Sequence, residues 1–149
     1  MVTIIRTTSN HKDFQELVME LDKDLAVRNG ASNDFFAQYN KIDKINHVVL
    51  AVVNEQAVGC GAMKEYTPNT MEIKRMFVPL EMRGRGIAVA VLQNLEQWAK
   101  ELGYDKCILE TGDKMLEAIG LYQKSNYKRI PNYGQYEQVE SSWCFEKEL

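Results

Sequence analysis

The chain has 149 residues and a formal net charge of −3, and 45% of its residues are hydrophobic and 26% charged. This length is enough for one domain with a proper core, and the composition is that of an ordinary globular protein. The negative charge argues against a surface that binds nucleic acid, and no apolar run approaches membrane-spanning length. We therefore expect one domain over residues 1–149 without a membrane or nucleic-acid partner.

Three cysteines, Cys60, Cys107 and Cys144, are odd in number and far apart, and no Cys-x-x-Cys pair exists. This pattern predicts neither a disulfide framework nor a zinc site, so we expect no metal and three small core residues. The first six residues are too short and too quickly polar for a signal peptide. Free thiols fit a reducing compartment, and a cytoplasmic protein is expected.

The first third of the chain predicts a short strand over residues 2–6 and then two helices. The first helix carries one apolar face at spacings of three and four and ends at Asn29-Gly30. The apolar residues of that face are Phe14, Leu17, Val18, Leu21 and Leu25. A second, shorter helix over residues 32–39 carries Phe35, Phe36 and Tyr39.

From residue 46 the periodicity changes to that of strands. The runs 47–53, 57–66 and 71–78 are rich in apolar and β-branched residues, and short turns separate them. Short links between strands favour antiparallel pairing, so a three-strand meander is predicted. Gly59 and Gly61 weaken the second strand and leave room for another backbone or for a bulge.

The meander leads into a glycine-rich turn, because residues 83–88 read Arg-Gly-Arg-Gly-Ile-Ala and an amphipathic helix to Leu102 follows. Glycines let a ligand approach the backbone, and the N–H groups of a helix's first turn favour a bound phosphate. A dinucleotide fingerprint would need a third glycine where Val89 stands, and the Gly-Lys-Ser/Thr of a P-loop is absent. A plain capped helix with basic residues near its start is the alternative.

The last third alternates between strand and helix. The patterns predict a strand over 106–110, a helix over 114–125 and strands over 127–130 and 141–145. The strand over 71–78, the long helix to Leu102 and the strand over 106–110 follow one another, which implies a right-handed crossover and a parallel pair.

Arg83, Gly86 and Ala88 resemble the Gln/Arg-x-x-Gly-x-Gly/Ala turn of the GNAT family of N-acetyltransferases, and residues 118–122 resemble the family's Ala-x-x-x-Tyr. The element order is also similar along the whole chain. The resemblance implies an α/β (α+β) GNAT fold, with a mixed sheet of about six to seven strands and about four helices. One departure is Met115, where the family often has an Asn or Gln that contacts the cofactor.

The resemblance implies acetyl-CoA as co-substrate and a primary amine as acceptor. Backbone N–H groups at Met76, Phe77 or Val78 would then hold the pantetheine arm and polarise the thioester carbonyl. Pyrophosphate would bind the turn, whose residues are Arg83, Gly84, Arg85, Gly86, Ile87 and Ala88; the Arg85 side chain is expected to face solvent. Met115 is counted among the cofactor contacts.

An attacking amine must be neutral, yet alkyl amines have pKa values of about 10, so a general base is useful. Glu72 is the candidate base, because the histone-acetylating branch of the family carries a glutamate at a similar offset from the turn. A solvated glutamate paired with Lys74 or Arg75 is the alternative, and His47 and Glu110 are the other candidates for the base. Tyr122 is the candidate acid that protonates the leaving thiolate, unless it is a packed helical aromatic.

The acceptor site is less defined. The resemblance points to the first two helices and the late loop, hence to Arg28, Phe35, Phe36 and Tyr39, with Tyr133 and Tyr136. Core packing of the aromatics and a solvated Arg28 are the alternatives. A small-molecule amine, a protein lysine or N-terminus, and a non-catalytic CoA-binding role stay open. Many members of the family are dimers, which leaves a homodimer open.

Overall fold

A computed structural model describes residues 1–29 and 44–149. The predicted helix over 32–39, with Phe35, Phe36 and Tyr39, lies outside the described residues. Three α-helices and seven strands occur within them. In chain order these are β1 (Thr3–Thr7), α1 (Lys12–Asn29), β2 (His47–Val53), β3 (Gln56–Thr67), β4 (Thr70–Phe77), α2 (Ile87–Glu101), β5 (Lys106–Gly112), α3 (Leu116–Lys124), β6 (Lys128–Ile130) and β7 (Ser142–Glu148). Short 3-10 turns span Leu80–Met82 and Gly134–Tyr136.

All seven strands form one mixed sheet in the order β1-β2-β3-β4-β5-β7-β6. β2, β3 and β4 form an antiparallel meander, as the short turns predicted, and β1 also pairs antiparallel with β2. β4 and β5 pair in parallel, which confirms the crossover through α2. β7 lies between β5 and β6, so the last two strands do not follow chain order in the sheet.

The two faces of the sheet carry different helices. α1 packs on one face, where Phe14 and Val18 meet Val48 and Leu50 in one buried cluster. α2 and α3 pack on the opposite face, whose buried cluster includes Val49, Val91, Leu92, Leu95, Ile119 and Tyr122. The side chains of β2 alternate between the two clusters, because successive residues of a strand point to opposite faces.

The room at Gly59 and Gly61 is filled by side chains. A Cβ on Gly61 would lie 2.6 Å from Met76 Sδ and 2.8 Å from Val91 Cγ1, and one on Gly59 would lie 2.7 Å from Ile87 Cγ2. The glycines therefore let α2 approach the sheet closely. A bulge is present in β3 as predicted, because its register against β2 shifts and leaves Val58 as the extra residue. A further bulge lies in β4, whose register against β3 shifts between Cys60 and Ala62.

β4 and β5 diverge after a short paired stretch. Their register runs only from Thr70 opposite Lys106 to Glu72 opposite Ile108. Among the strands of the described residues, the remainder of β4, up to Phe77, therefore pairs with β3 alone. A cleft opens between the two strands.

Cys60, Cys107 and Cys144 are buried and unpaired, as expected. In the parts of the chain that the structure describes, no helix has the length and apolar character needed to cross a membrane.

Candidate active site

The cleft between β4 and β5 holds a cavity of about 110 Å³. Its volume is enough for several water molecules or for a small ligand group. β4, β5, α1 and α3 all contribute to its walls. The wall residues include Ile73, Lys74, Arg75 and Met76 of β4, Glu110, Thr111 and Gly112 of β5, and Met115, Ala118 and Tyr122 at α3. A second cavity of about 60 Å³ shares Ile73, Lys74, Arg75 and Glu110 with the first, and adds Glu72 and Tyr136.

The glycine turn forms an open cradle at the start of α2. Gly84 and Gly86 have φ values of +80° and +78°, a conformation that other residues adopt only with strain. A Cβ at either glycine would meet no atom within 4 Å, so the turn faces open space. Gly86 is the N-cap of α2 and supplies no side-chain cap. The first N–H groups of α2 are therefore available to an anion.

Three other residues of the turn differ in their contacts: Ile87 packs in the core, whereas Arg83 and Arg85 carry charge. Ile87 is buried at 2% exposure and packs in the core, so only its backbone can contact a ligand. Arg83 donates from Nε to the Val78 carbonyl oxygen at 2.9 Å, and its Nη1 lies 3.9 Å from Glu117 Oε1. Arg85 is exposed, in line with the expectation for its side chain.

Met76 and Met115 lie in the cavity wall, whereas Phe77 and Val78 do not line it. Phe77 packs on the α1 side of the sheet, and Val78 is buried in the opposite cluster. Of the three residues expected to supply an oxyanion donor, Met76 is thus the one placed at the cavity.

Two carboxylates from neighbouring strands lie beside the cavities. Glu110 accepts a hydrogen bond from Ser142 Oγ at 2.6 Å, and burial raises its pKa to about 7. The Ser142 hydrogen bond and Lys74 oppose this rise, while the charge of Glu72 adds to it. Glu72 accepts a hydrogen bond from the Tyr133 hydroxyl at 2.6 Å, and its Oε1 lies 3.8 Å from Lys74 Nζ.

Tyr122 lies in the wall of the larger cavity and is 5% exposed. Its ring contacts Tyr127 and Phe145, at centroid distances of 5.7 and 6.1 Å. Burial raises the pKa of its hydroxyl, and the charge of Glu110 raises it further. The hydroxyl therefore keeps its proton at neutral pH.

His47 lies elsewhere. Its ring packs against Trp98 of α2, with the centroids 4.9 Å apart, and it lines neither cavity. Burial lowers its pKa. The structure does not bring this candidate base to the cleft.

The residues predicted for the acceptor site lie in different elements of the described structure or outside the described residues. Arg28 is half-buried, and its guanidinium is ion-paired with Asp24 at 3.2 Å and with Glu117 of α3. Phe36 and Tyr39 lie outside the described residues. In the late loop, Tyr136 lines the smaller cavity and Tyr133 holds Glu72.

The sequence pattern did not identify Arg75 as a wall residue of the cavities or Ser142 as the hydrogen-bond partner of Glu110. The sequence indicates Arg75 only as a possible partner of Glu72, whereas its Nη1 pairs with Asp22 Oδ1 at 2.8 Å. Ser142, the partner of Glu110, is 32 positions away along the chain. No local pattern marks either residue, because one depends on a bulge and the other on a strand pairing.

The chain is similar to known acetyltransferases and acyltransferases in both sequence and fold. Residues 11–127 match the model of the acetyltransferase (GNAT) family. A protein of Azospirillum brasilense named IAA acetyltransferase is 30% identical over 150 residues, which is 99% of this chain and 98% of that protein. The crystal structure of an acyl-CoA N-acyltransferase from Klebsiella pneumoniae has a TM-score of 0.82 and 25% identity, covering 100% of this chain and 98% of the other. A GNAT family acetyltransferase from Elizabethkingia anophelis, solved with acetyl-CoA bound, has a TM-score of 0.72 at 20% identity, covering 99% and 98%.

Proposed function

This chain belongs to the acetyltransferase (GNAT) family, and we propose that it transfers the acetyl group of acetyl-CoA to the primary amine of a small molecule. Two observations support the proposal: the opened β4–β5 cleft has ionisable side chains in its walls, and the glycine turn at the start of α2 faces open space. Acetyl-CoA supplies an activated acyl group as a thioester. The chain's own residues bind acetyl-CoA and carry out the proton transfers.

The glycine turn fits the pyrophosphate of CoA. The open space at Gly84 and Gly86 admits phosphate oxygens close to the backbone, and the helix dipole of α2 favours their negative charge. Arg83 and Arg85 add positive charge nearby. We propose that the backbone around Met76 holds the pantetheine arm, since Met76 lines the cavity.

We propose that Glu110 takes the proton from the attacking amine. Its pKa of about 7 lies near the working pH, where a general base combines the correct protonation state with driving force. Glu72, the base expected from the resemblance, lines the smaller cavity and is the second candidate. Its negative charge helps to raise the pKa of Glu110, because a like charge nearby disfavours ionisation of that carboxyl group.

We propose that Tyr122 is the acid. When the amine nitrogen bonds to the acetyl carbon, the carbon–sulfur bond breaks and the thiolate needs a proton. The protonated hydroxyl in the cavity wall can supply it, and the buried carboxyl takes up the amine proton. The amine thus loses one proton and the leaving sulfur gains one. Tyr122 then recovers a proton from solvent and Glu110 releases one to it, so that both residues return to their starting states.

Replacing Tyr122 by phenylalanine is expected to lower kcat by roughly ten- to a thousandfold with CoA affinity nearly unchanged. The change removes one hydroxyl from the cavity wall and keeps the ring that packs on Phe145. Tyr127→Phe is the matched control, because this buried neighbour donates to Glu96 instead and lines neither cavity. Its kcat should stay within a few-fold of wild type. Full turnover in Tyr122→Phe would remove the acid assignment.

The proposed function is tested by a thermal-shift titration with acetyl-CoA, followed by thiol release against a panel of amines. A ligand that binds only the native state must stabilise it, by about 2.7 kcal/mol at a hundredfold excess over Kd. A rise in Tm and release with a small amine would support the proposal. Release only with lysine peptides would favour a protein acceptor, and a Tm rise without release from any amine would favour a non-catalytic CoA-binding role.

A further inference from the structure

Arg75 carries a buried hydrogen-bond donor without a partner. Its side chain is 3% exposed, and Nη1 donates to Asp22 Oδ1 at 2.8 Å. Its Nη2 has no hydrogen-bond partner among the described residues. An unsatisfied buried donor costs about 1–3 kcal/mol, and more when it is charged. An unsatisfied group of this kind in a native structure calls for an explanation. One explanation is a ligand that accepts the missing hydrogen bond.

The backbone at Arg75 is also held in an unfavourable conformation. Its φ is +60°, which costs a residue with a Cβ about 1–2 kcal/mol. The cause is the bulge, in which Arg75 and Met76 together lie between the pairs Ala62–Lys74 and Cys60–Phe77. As a result Arg75 reaches α1 at Asp22, while Met76 packs in the cluster of α2. Strained residues of this kind gather at ligand sites.

The surroundings of Arg75 carry both signs of charge. Arg75, Lys74 and Glu110 line both cavities, and Glu72 lines the smaller one. Two cations and two carboxyl groups thus line a pair of cavities that have wall residues in common. A ligand that carries one charge of each sign could place its negative group beside the two cations and its positive group beside the two carboxyl groups.

We propose that the acceptor is a free amino acid, whose carboxylate binds Nη2 of Arg75 while its amine is presented to Glu110 and Glu72. The inference rests on the proposed function and narrows its substrate. Guanidinium groups bind carboxylates through strong charge-assisted hydrogen bonds. Arg28, the carboxylate binder expected from sequence, already pairs with Asp24 and Glu117.

The same charges disfavour other amines. A diamine would bring a second positive charge toward Lys74 and Arg75. A peptide N-terminus carries an uncharged amide where the carboxylate would lie, so Nη2 would gain only a neutral partner. Discrimination of this kind arises because the wrong ligand leaves a buried polar group unpaired or poorly paired.

The test compares matched triplets in the thiol-release assay: each common amino acid, its primary amide, and the amine that lacks the carboxyl group. We expect at least one free amino acid to exceed its amide in kcat/KM by roughly ten- to a hundredfold, the effect of one charged hydrogen bond. Amides or carboxyl-free amines that match or exceed the acid in every triplet would overturn the proposal. This comparison needs no variant.

Arg75→Gln tests the assignment to this side chain. The ratio of acid to amide should fall to within about threefold, mainly through a higher KM for the acid, while acetyl-CoA still raises Tm. Asp22→Asn is the matched control, because it removes the charge paired with Nη1 and leaves Nη2 in place. It should retain the preference for the acid. An unchanged ratio in folded Arg75→Gln would overturn the role of Arg75.

The two proposals fail in different ways. Turnover confined to amines without a carboxylate would support the acetyltransferase and overturn the amino-acid acceptor. Absence of both a Tm rise and thiol release would overturn both.

Discussion

A glutamate in place of Gly86 is expected to weaken CoA binding by at least about a hundredfold. Gly86 is the N-cap of α2 and borders open space. The new carboxylate would lie at the helix N-terminus, where it would occupy the N–H donors proposed for the pyrophosphate and repel its charge. Titration calorimetry or the thermal shift with CoA measures the loss.

A matched control exists at the other end of the same helix. Gly103 follows α2, has a φ of +94°, and also borders open space. Glutamate there imposes similar backbone strain, about 1–2 kcal/mol, without approaching the turn. Gly103→Glu should therefore lose stability but keep CoA affinity. If Gly86→Glu bound CoA as well as the control does, the pyrophosphate would have to lie elsewhere.

Replacement of Glu110 by glutamine is expected to lower kcat by about a hundred- to ten-thousandfold, the usual contribution of a general base. The wild-type rate should rise with pH through about 7, because the carboxyl must lose its proton before it can accept another. That ascending limb should vanish in Glu110→Gln. A pH–rate profile under saturating acetyl-CoA measures both effects.

Glu72→Gln is the partner experiment, because it removes the neighbouring charge that helps to raise the pKa of Glu110. The ascending limb should move to lower pH while kcat falls less than about tenfold. Tyr133 would keep a hydrogen-bond acceptor in the glutamine carbonyl. The opposite outcome, with Glu72→Gln inactive and Glu110→Gln active, would return the base role to Glu72, as the resemblance predicted.

Unfolding gives a readout of Glu110 that does not depend on activity. The folded chain holds the proton up to about pH 7, whereas the unfolded chain releases it near the ordinary pKa of 4.5. Between these values the folded state binds more protons, so the free energy of unfolding falls as the pH rises. The full effect is at most about 3 kcal/mol. Glu110→Gln should lack this fall, so its stability relative to wild type should increase from pH 4.5 to 7.

Local patterns in the sequence were enough for most of the architecture. Helical spacing placed α1 within a residue or two, and the β-branched run placed β2 at its observed bounds. The glycine turn between β4 and α2 was visible because its chemistry lies within six consecutive residues. The bounds of α3 and β7 were less accurate, since helix and strand ends depend on packing as well as on local preference.

The arrangement around the cleft was decided by contacts between distant parts of the chain. β7 separates β5 from β6, and this pairing brings Ser142 to Glu110. The bulge in β4 sends Arg75 toward α1, and no periodicity reveals it because a single extra residue inverts the faces of a strand.

By itself, the sequence determined the order of helices and strands, the antiparallel meander, the parallel crossover and the phosphate turn, because each follows from residues close together in the chain. Only the tertiary structure decided which charged side chains share the cleft, because burial and strand register are properties of the folded sheet. Glu110 shows the difference most clearly. In the sequence it is only an alternative to Glu72 as the base, and its pKa of about 7 comes chiefly from the burial that the folded chain imposes.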